Sequence, residues 1–355
     1  MKFKEILESA ILAPSGDNCQ PWQFAIHDNH IDIFNLPARD TSLYNYRQRA
    51  SLVAHGALIE NMLIASSALG YKAKLTILPD RFNPDLIATI ELEGSEARNE
   101  PLFPFISRRS SNRKLYKPLP LAGEQRQCLI NSSTAVGSGT VRLLEGEGER
   151  RAVAKVIGMN DRLVFENRHL HSFLFEHIRW SDEEARQTRD GLDIRTLELA
   201  PLDALAFRLF KNYSLLHTLN FFGVSKLVAK NAEKLAVSAS ALGIVTVDGD
   251  SDGDFLTGGR LVQRVWLEAT RLGLSFQPMT GITFLMQRVG EGETGLLSQE
   301  QVVLIRDTSR NLSAAFKLTS ETVVLMFRVG HNSSPSALSL RQPLESRVIP
   351  ISNQG

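Results

Sequence analysis

Two fifteen-residue segments, "GALIENMLIASSALG" (56–70) and "GRLVQRVWLEATRLG" (259–273), carry one helical pattern at an offset of 203 positions. The offset places Leu58 on Leu261, Ile59 on Val262, Leu63 on Trp266, Ile64 on Leu267 and Leu69 on Leu272. Apolar residues three and four apart predict helices, here core helices over 52–69 and 258–272, and the closing Gly70 and Gly273 are C-terminal caps. Each leads into extended sequence, "KAKLTILP" and "LSFQPM", and later into an apolar strand, "DLIATIEL" (85–92) and "TVVLMFRVG" (322–330). One α+β unit therefore occurs twice, with a period far too long for a solenoid. Two such units can bury equivalent helices against each other about a pseudo-two-fold axis.

The gaps in the repeat are as informative as its matches. "APSGDNCQPWQF" (13–24) has no counterpart in the second unit, and "ISRRSSNRKLYKPLP" (106–120) has none before the first. Pro14 and Pro21 exclude a helix in the earlier segment, and Ser15, Gly16, Asp17 and Asn18 are turn residues whose side chains can bond backbone. It is either a connecting loop anchored by Trp22 and Phe24 or a loop that approaches a ligand closely. In the later segment Arg109, Ser111 and Arg113 alternate, so an extended strand would aim all three to one side. Two guanidiniums and a hydroxyl suit a phosphate, and the competing reading is a solvated basic linker. If the units pack as a pseudo-dimer, the loop of one and the basic turn of the other can build one composite site.

Composition excludes more than it selects. The 355 residues are long enough for two domains, and a net charge of +1 with 22% charged residues gives no support for nucleic-acid or membrane-surface partners. Cys19 and Cys128 cannot form a disulfide framework and have no metal-ligand spacing, which fits a reducing compartment. "MKFKEILESAIL" reads as a helix, not a signal peptide, and 52–69 is too polar to span a bilayer, so a cytoplasmic location is expected.

Residues 160–236 are expected to be mostly helical and aromatic-rich, either packing on the sheet or forming a lid or partner surface. "FAIHDNHIDIFNL" reads as two short strands around a turn. "DGDSDGDF" (248–255) resembles the front of a calcium loop, but position twelve is Gly259 instead of the bidentate Glu, so an acidic turn and helix cap is expected. "GEGETG" (290–295) would repel a pyrophosphate through Glu291 and Glu293 and reads as a surface loop. His169 and His171 read as surface helix positions. We therefore expect no hydrolase triad and no metal site.

Taken together, these residues resemble the FMN-dependent nitroreductase fold. "APSGDNCQPWQF" is similar to its APSxxNxQPW loop, and "RRSSNRK" followed by "KPLP" is similar to its phosphate-binding R-x-S-x-R/K turn. "LGLSFQPMTG" (272–281) is similar to the segment whose backbone N–H groups approach the flavin N5. The closer match is to tandem members, which hold two such halves in one chain. Three departures stand out: a second Arg before Arg109 with Ser-Ser-Asn after it, Thr280-Gly281 where the family has Glu-Gly, and the extra helices at 160–236.

The resemblance implies an α+β fold duplicated as a pseudo-dimer, with halves at 1–105 and 106–355 and the helical insert in the second. It implies one FMN per chain held by Pro14, Ser15, Gly16, Asn18, Gln20, Arg109, Ser111, Arg113, Pro278, Met279, Thr280 and Gly281, with Arg341 of "LRQP" as an addition. Gly16 and Ser15 would then be small for close approach, with Trp22 as a buttress. The activity implied is ping-pong hydride transfer from NAD(P)H to an electron-poor acceptor, with no catalytic acid or base of the protein. The alternative is a flavin-storage protein without turnover, its flavin covered by the helical region. The chain is expected to act as a monomeric pseudo-dimer or a homodimer.

Overall fold

The computed structural model describes residues 3–349. Its first part runs α1 (Lys4–Ala10), β1 (Trp22–Ile26), β2 (His30–Asn35), α2 (Arg49–Ala68), β3 (Tyr71–Ile77) and β4 (Leu86–Gly94). The antiparallel sheet formed has the order β1-β2-β4-β3. After the basic turn come α3 (Gly123–Val136), β5 (Thr140–Leu144), α4 (Glu147–Glu166) and α5 (Arg168–His177). Next are the short parallel pair β6 (Ile178–Arg179) and β7 (Leu192–Asp193) around α6 (Asp182–Thr188), then α7 (Pro201–Leu209), α8 (Tyr213–Asn220) and α9 (Val224–Val237). The chain continues through β8 (Ala241–Val247), α10 (Asp252–Arg271), β9 (Ser275–Pro278), α11 (Gly281–Gly290), α12 (Gln299–Phe316) and β10 (Thr322–Gly330). Its antiparallel sheet has the order β5-β8-β10-β9. Helix, two strands, core helix and two strands thus occupy the same places in both sheets. The fold is α+β.

Patterning explains which faces are covered. In β2 burial alternates, with Ile31 and Ile33 inward and His30 and Asp32 half-buried on the outer face, as expected of a sheet packed on one side. All seven residues of β8 are buried because its sheet is covered twice. Leu242 and Ile244 join Val153, Val156 and Ile157 of α4, whereas Val245 and Val247 join Val265 and Trp266 of α10. The expected insert at 160–236 is helical, but its helices start earlier, at Glu147, where Glu149 caps the first turn of α4.

The core helices also start earlier than their apolar pattern, at Arg49 and Asp252; Ser251 and Asp254 form a capping box there, the acidic cap expected of 248–255. Gly70 and Gly273 have φ of 80° and 70°, the left-handed caps anticipated. Gly56 and Gly259 lie inside the helices, where the two cross. A Cβ on Gly56 would lie 2.1 Å from the Leu256 carbonyl oxygen, and one on Gly259 would lie 2.2 Å from that of Val53. Val53 and Leu256 are themselves 203 positions apart, so the contact is reciprocal, as across an isologous two-fold interface. Beside the crossing, the fully buried Glu60 carboxylate accepts from Arg260 Nε at 2.9 Å and from Arg264, which compensates its charge. Among the described residues, no helix is long and apolar enough to cross a membrane.

Candidate functional site

Residues 13–21 form a strained, heavily bonded loop. Asp17, Asn18 and Gln20 take φ of 43°, 57° and 53°, values uncommon outside glycine. Gly16 has no such requirement, and a Cβ there would meet only Asp40 Oδ2, at 3.4 Å. The loop is held by its own side chains: Gln20 N donates to Ser15 Oγ at 2.9 Å, and Gln20 Nε2 donates to Asn18 O and to Arg189 O. Trp22 is fully buried behind it, edge-on to His55 of α2. The second cover is the C-terminal segment: Asn18 Nδ2 donates to Leu340 O at 3.0 Å, and Gln342 N donates to Gln20 Oε1 at 2.8 Å.

Arginines converge on this loop from two directions. Arg109 Nη2 donates to Leu12 O at 2.8 Å, and its guanidinium lies 4.3 Å from the Trp266 ring. Arg341 Nη1 donates to Asn18 Oδ1 at 2.8 Å, and its Nη2 reaches the same Leu12 O at 3.3 Å. The Nε atoms of both are buried without a partner. Burial, and then the neighbouring Arg341 charge, hold Arg109 well below the usual arginine range, and burial brings Arg341 down to about 10. No carboxylate offsets either shift. Among the described residues, two half-buried cations thus lie side by side with no acid against them, an arrangement that suits an anion because an uncompensated charge held out of water is costly.

Arg113 points elsewhere. It donates to Thr196 O at 3.1 Å, and among the charges that act on it Asp17 opposes the downward pull of burial. Arg109, Ser111 and Arg113 therefore do not form one row. Only Ser111 is paired in strand fashion, as a parallel bridge to Phe276, with Asn112 N donating to Phe276 O at 2.9 Å. The pair that the structure assembles is Arg109 with Arg341. Burial, and then Asp40, push the Asp17 carboxyl up to about 6, with His177 and Arg113 pulling it back.

The bridge to β9 sets the basic turn beside Pro278 and Met279. Met279 N donates to Met326 O at 2.7 Å, and Thr280 precedes the first turn of α11. A Cβ on Gly281 would lie 2.2 Å from Asn160 Oδ1 and 3.0 Å from the Tyr44 ring. Tyr44 OH donates to Asn160 Oδ1 at 3.3 Å, and burial and then Asp17 raise its phenol. Burial also pushes Asp161, the next residue of α4, up to about 6. The loop, the Arg109–Arg341 pair and the Met279–Gly281 corner thus come together from distant stretches of sequence.

Several participants had no sequence signal of their own. Arg328 is fully buried in β10, donating to Gln277 Oε1 and to the carbonyls of Leu235, Asn112 and Lys114, and so anchors the basic turn. A lone Arg within "TVVLMFRVG" is the one mark that could have flagged it. Tyr44, Asn160 and Asp161 are ordinary residues in ordinary surroundings until the chain folds. His171 is a correction: it is buried, with Nε2 2.8 Å from Phe210 O and its ring stacked on Phe175, because α5 turns this face into the aromatic cluster. Of the 160–236 region, α4 packs on the second sheet and α5, α8 and α9 pack on α4; the Thr188–Thr196 stretch reaches the loop through Arg189 O and, by the Asp190–Arg39 ion pair, Cys19 O, and reaches the basic turn through Thr196 O. Cys19, within the loop, is a buried free thiol whose pKa burial pushes up. Gly290–Gly295 is a surface turn, although Glu291 pairs with Arg47 and Arg49.

No protein-family model matches the chain. It is 28% identical over 341 residues to a protein of unassigned function from Mycobacterium tuberculosis, which covers 95% of this chain and 47% of that protein. It is 25% identical over 122 residues to a protein of that organism provisionally named an NAD(P)H nitroreductase, covering 34% of this chain and 36% of that one. The chain thus spans about half, or less, of the length of these two relatives. Among solved structures, the FMN-dependent nitroreductase NfnB from Mycobacterium smegmatis in complex with NADPH is similar at 11% identity and a TM-score of 0.39, covering 69% of this chain and 96% of that one. A Bacteroides fragilis nitroreductase with bound FMN gives 11% identity and a TM-score of 0.38, covering 69% and 95%. A third Mycobacterium tuberculosis protein, also provisionally named an NAD(P)H nitroreductase, is 24% identical over 294 residues, and that similarity extends over 80% of this chain and 81% of the relative.

Proposed function

We propose that the chain is a nitroreductase-like flavoprotein that binds one FMN per chain and works as an NAD(P)H-dependent oxidoreductase. The observation that carries this reading is the half-buried Arg109–Arg341 pair, aimed at one carbonyl and, among the described residues, without an acid against it. A terminal phosphate monoester supplies the missing charge and can accept from both unpartnered Nε atoms. That favours FMN over a dinucleotide flavin. Pro14–Gln20, the Ser111 segment and Pro278–Gly281 would hold the remainder, with Arg113 nearer Asp17 than the phosphate. When bound, the flavin supplies two-electron transfer between a reduced nicotinamide and an electron-poor acceptor. The protein's own groups orient it, neutralise its phosphate and exclude water.

The domain reading follows the same lines: halves at 1–105 and 106–355, the second interrupted by the α4–α9 helices, and one composite site in a monomeric pseudo-dimer. Its support is the shared strand order of the two sheets and the reciprocal Gly56–Gly259 crossing.

The storage alternative also has an observation in its favour. Asn160 of α4 sits directly on Gly281, the corner that the resemblance places near the flavin N5. One experiment separates the readings: the absorbance spectrum of the purified protein, followed by anaerobic addition of NADH and of NADPH. We expect a flavin spectrum that bleaches. Bound flavin that neither nucleotide bleaches would instead establish the storage reading, and protein that takes up no FMN would overturn both.

A further expected result concerns the loop. Gly16→Val should leave thermal stability near that of the parent, because an added Cβ meets only the Asp40 carboxylate, at van der Waals distance. It should nevertheless weaken flavin binding, since Gly16 is an exposed residue of the loop that closes on the ligand. Flavin occupancy equal to the parent's would return the loop to a purely connecting role.

A further inference from the structure

The β1–β2 hairpin holds a second constellation, made of residues with no part in the flavin reading above. Ile26 pairs with Ile31, and His27 N donates to His30 O at 2.9 Å, so the two histidines face each other across the turn Asp28–Asn29. Side chains alternate along a strand, which places Asp32 on the same outer face as His30. The imidazoles stack at 4.1 Å with 7° between their planes. His27 Nε2 and His30 Nε2 lie 3.2 Å and 3.9 Å from Asp32 Oδ2. One donor atom from each of the three residues falls within 4.8 Å of the others.

The surroundings orient these atoms as ligands. Thr89 is paired with Asp32 in the neighbouring strand, and its hydroxyl donates to Asp32 Oδ1 at 2.5 Å, which leaves Oδ2 to the imidazoles. His30 Nδ1 is 3.0 Å from Asn29 Oδ1; a proton on Nδ1 there turns the Nε2 lone pair toward the carboxylate. His27 Nε2 is shielded from solvent and makes no hydrogen bond despite its closeness to Oδ2. The neighbouring Glu91, opposite His30, is paired with Lys74 at 2.8 Å. A carboxylate oxygen and two ring nitrogens thus converge, and a cation between them would satisfy all three.

We infer that His27, His30 and Asp32 bind one divalent transition-metal ion, with Zn²⁺ as the reference. Two imidazoles and a carboxylate are a Zn²⁺ ligand set that leaves a position for water. Donors around a tetrahedral ion sit about 3.3 Å apart at bond lengths of about 2.0–2.1 Å, so small side-chain rotations close the site. The side chains are 33%, 30% and 18% exposed, so an ion enters from solvent. The proposal departs from the expectation of no metal site, because strand alternation and hairpin register bring the third donor beside the two histidines.

The test is calorimetric titration of the full chain, stripped with chelator, with ZnCl₂. The expected result is one ion per chain, weakened at least about tenfold by His30→Ala and by Asp32→Asn. His169→Ala, exposed on α5, should bind like the parent. Lack of one-to-one uptake, or uptake that both hairpin variants leave unchanged, overturns the proposal. A measurement on the unmodified chain guards against a variant that folds poorly. One equivalent of Zn²⁺ should shift the ring resonances of two of the eight histidines, and shifts spread over all of them also overturn it.

Discussion

Arg109→Ala and Arg341→Ala are each expected to weaken FMN binding by about ten- to a hundredfold. A charge-assisted hydrogen bond contributes roughly 1.5–3 kcal/mol, and each 1.4 kcal/mol is about a factor of ten in affinity. Both arginines are half-buried with their Nε atoms shielded from solvent, so salt should weaken the contact only in part. Arg113→Ala should cost less, since that guanidinium is already engaged by Thr196 O and faces Asp17. Riboflavin, which has no phosphate, should bind the parent and the Arg109 and Arg341 variants alike, and this contrast separates a phosphate contact from general loosening of the loop. Equilibrium titration followed by flavin fluorescence gives all these constants. FMN binding by both variants at the parent's affinity would remove the phosphate from this pair and leave the composite site without its second half.

The larger effect on stability is expected at the helix crossing. Gly56→Ala and Gly259→Ala each put a methyl group within about 2 Å of a carbonyl oxygen of the other core helix. Backbone cannot yield as a flexible side chain can, so α2 and α10 must separate and the apolar contacts on both sides open together. Overpacking typically costs about 1–3 kcal/mol, and this site should lie at or above the top of that range. Gly148→Ala is the matching control. It lies in the first turn of α4 with nothing within 4 Å of the added Cβ, so it should stabilise by roughly 0.5–1 kcal/mol through lost unfolded-state freedom. Denaturant melts of the three variants measure both effects. Gly56→Ala as stable as Gly148→Ala would show that the helices do not meet at the glycines.

The sequence by itself determined what short-range periodicity and chemistry can encode. The repeat at an offset of 203 located both core helices, their left-handed caps at Gly70 and Gly273, and the strands that follow, because each rests on residues three, four or two positions apart. The alternation in "HIDIF" matches a sheet covered on one face, and the apolar run Val323–Phe327, ended by Arg328, matches one covered on both. Unpaired motifs in the two units pointed to a site shared between them. Only the tertiary structure decided which arginines meet: Arg109 joins Arg341, 232 positions away, and not its near neighbour Arg113. It also decided that Gly56 and Gly259 are a crossing point, that Asn160 lies over Gly281, that His171 is buried, and that two histidines and an aspartate share one face of a hairpin. The physical reason is common to all of these. Local pattern says which face of an element is apolar, but what a side chain meets across that face depends on elements brought together by burying the whole core, and no spacing along the chain records that meeting.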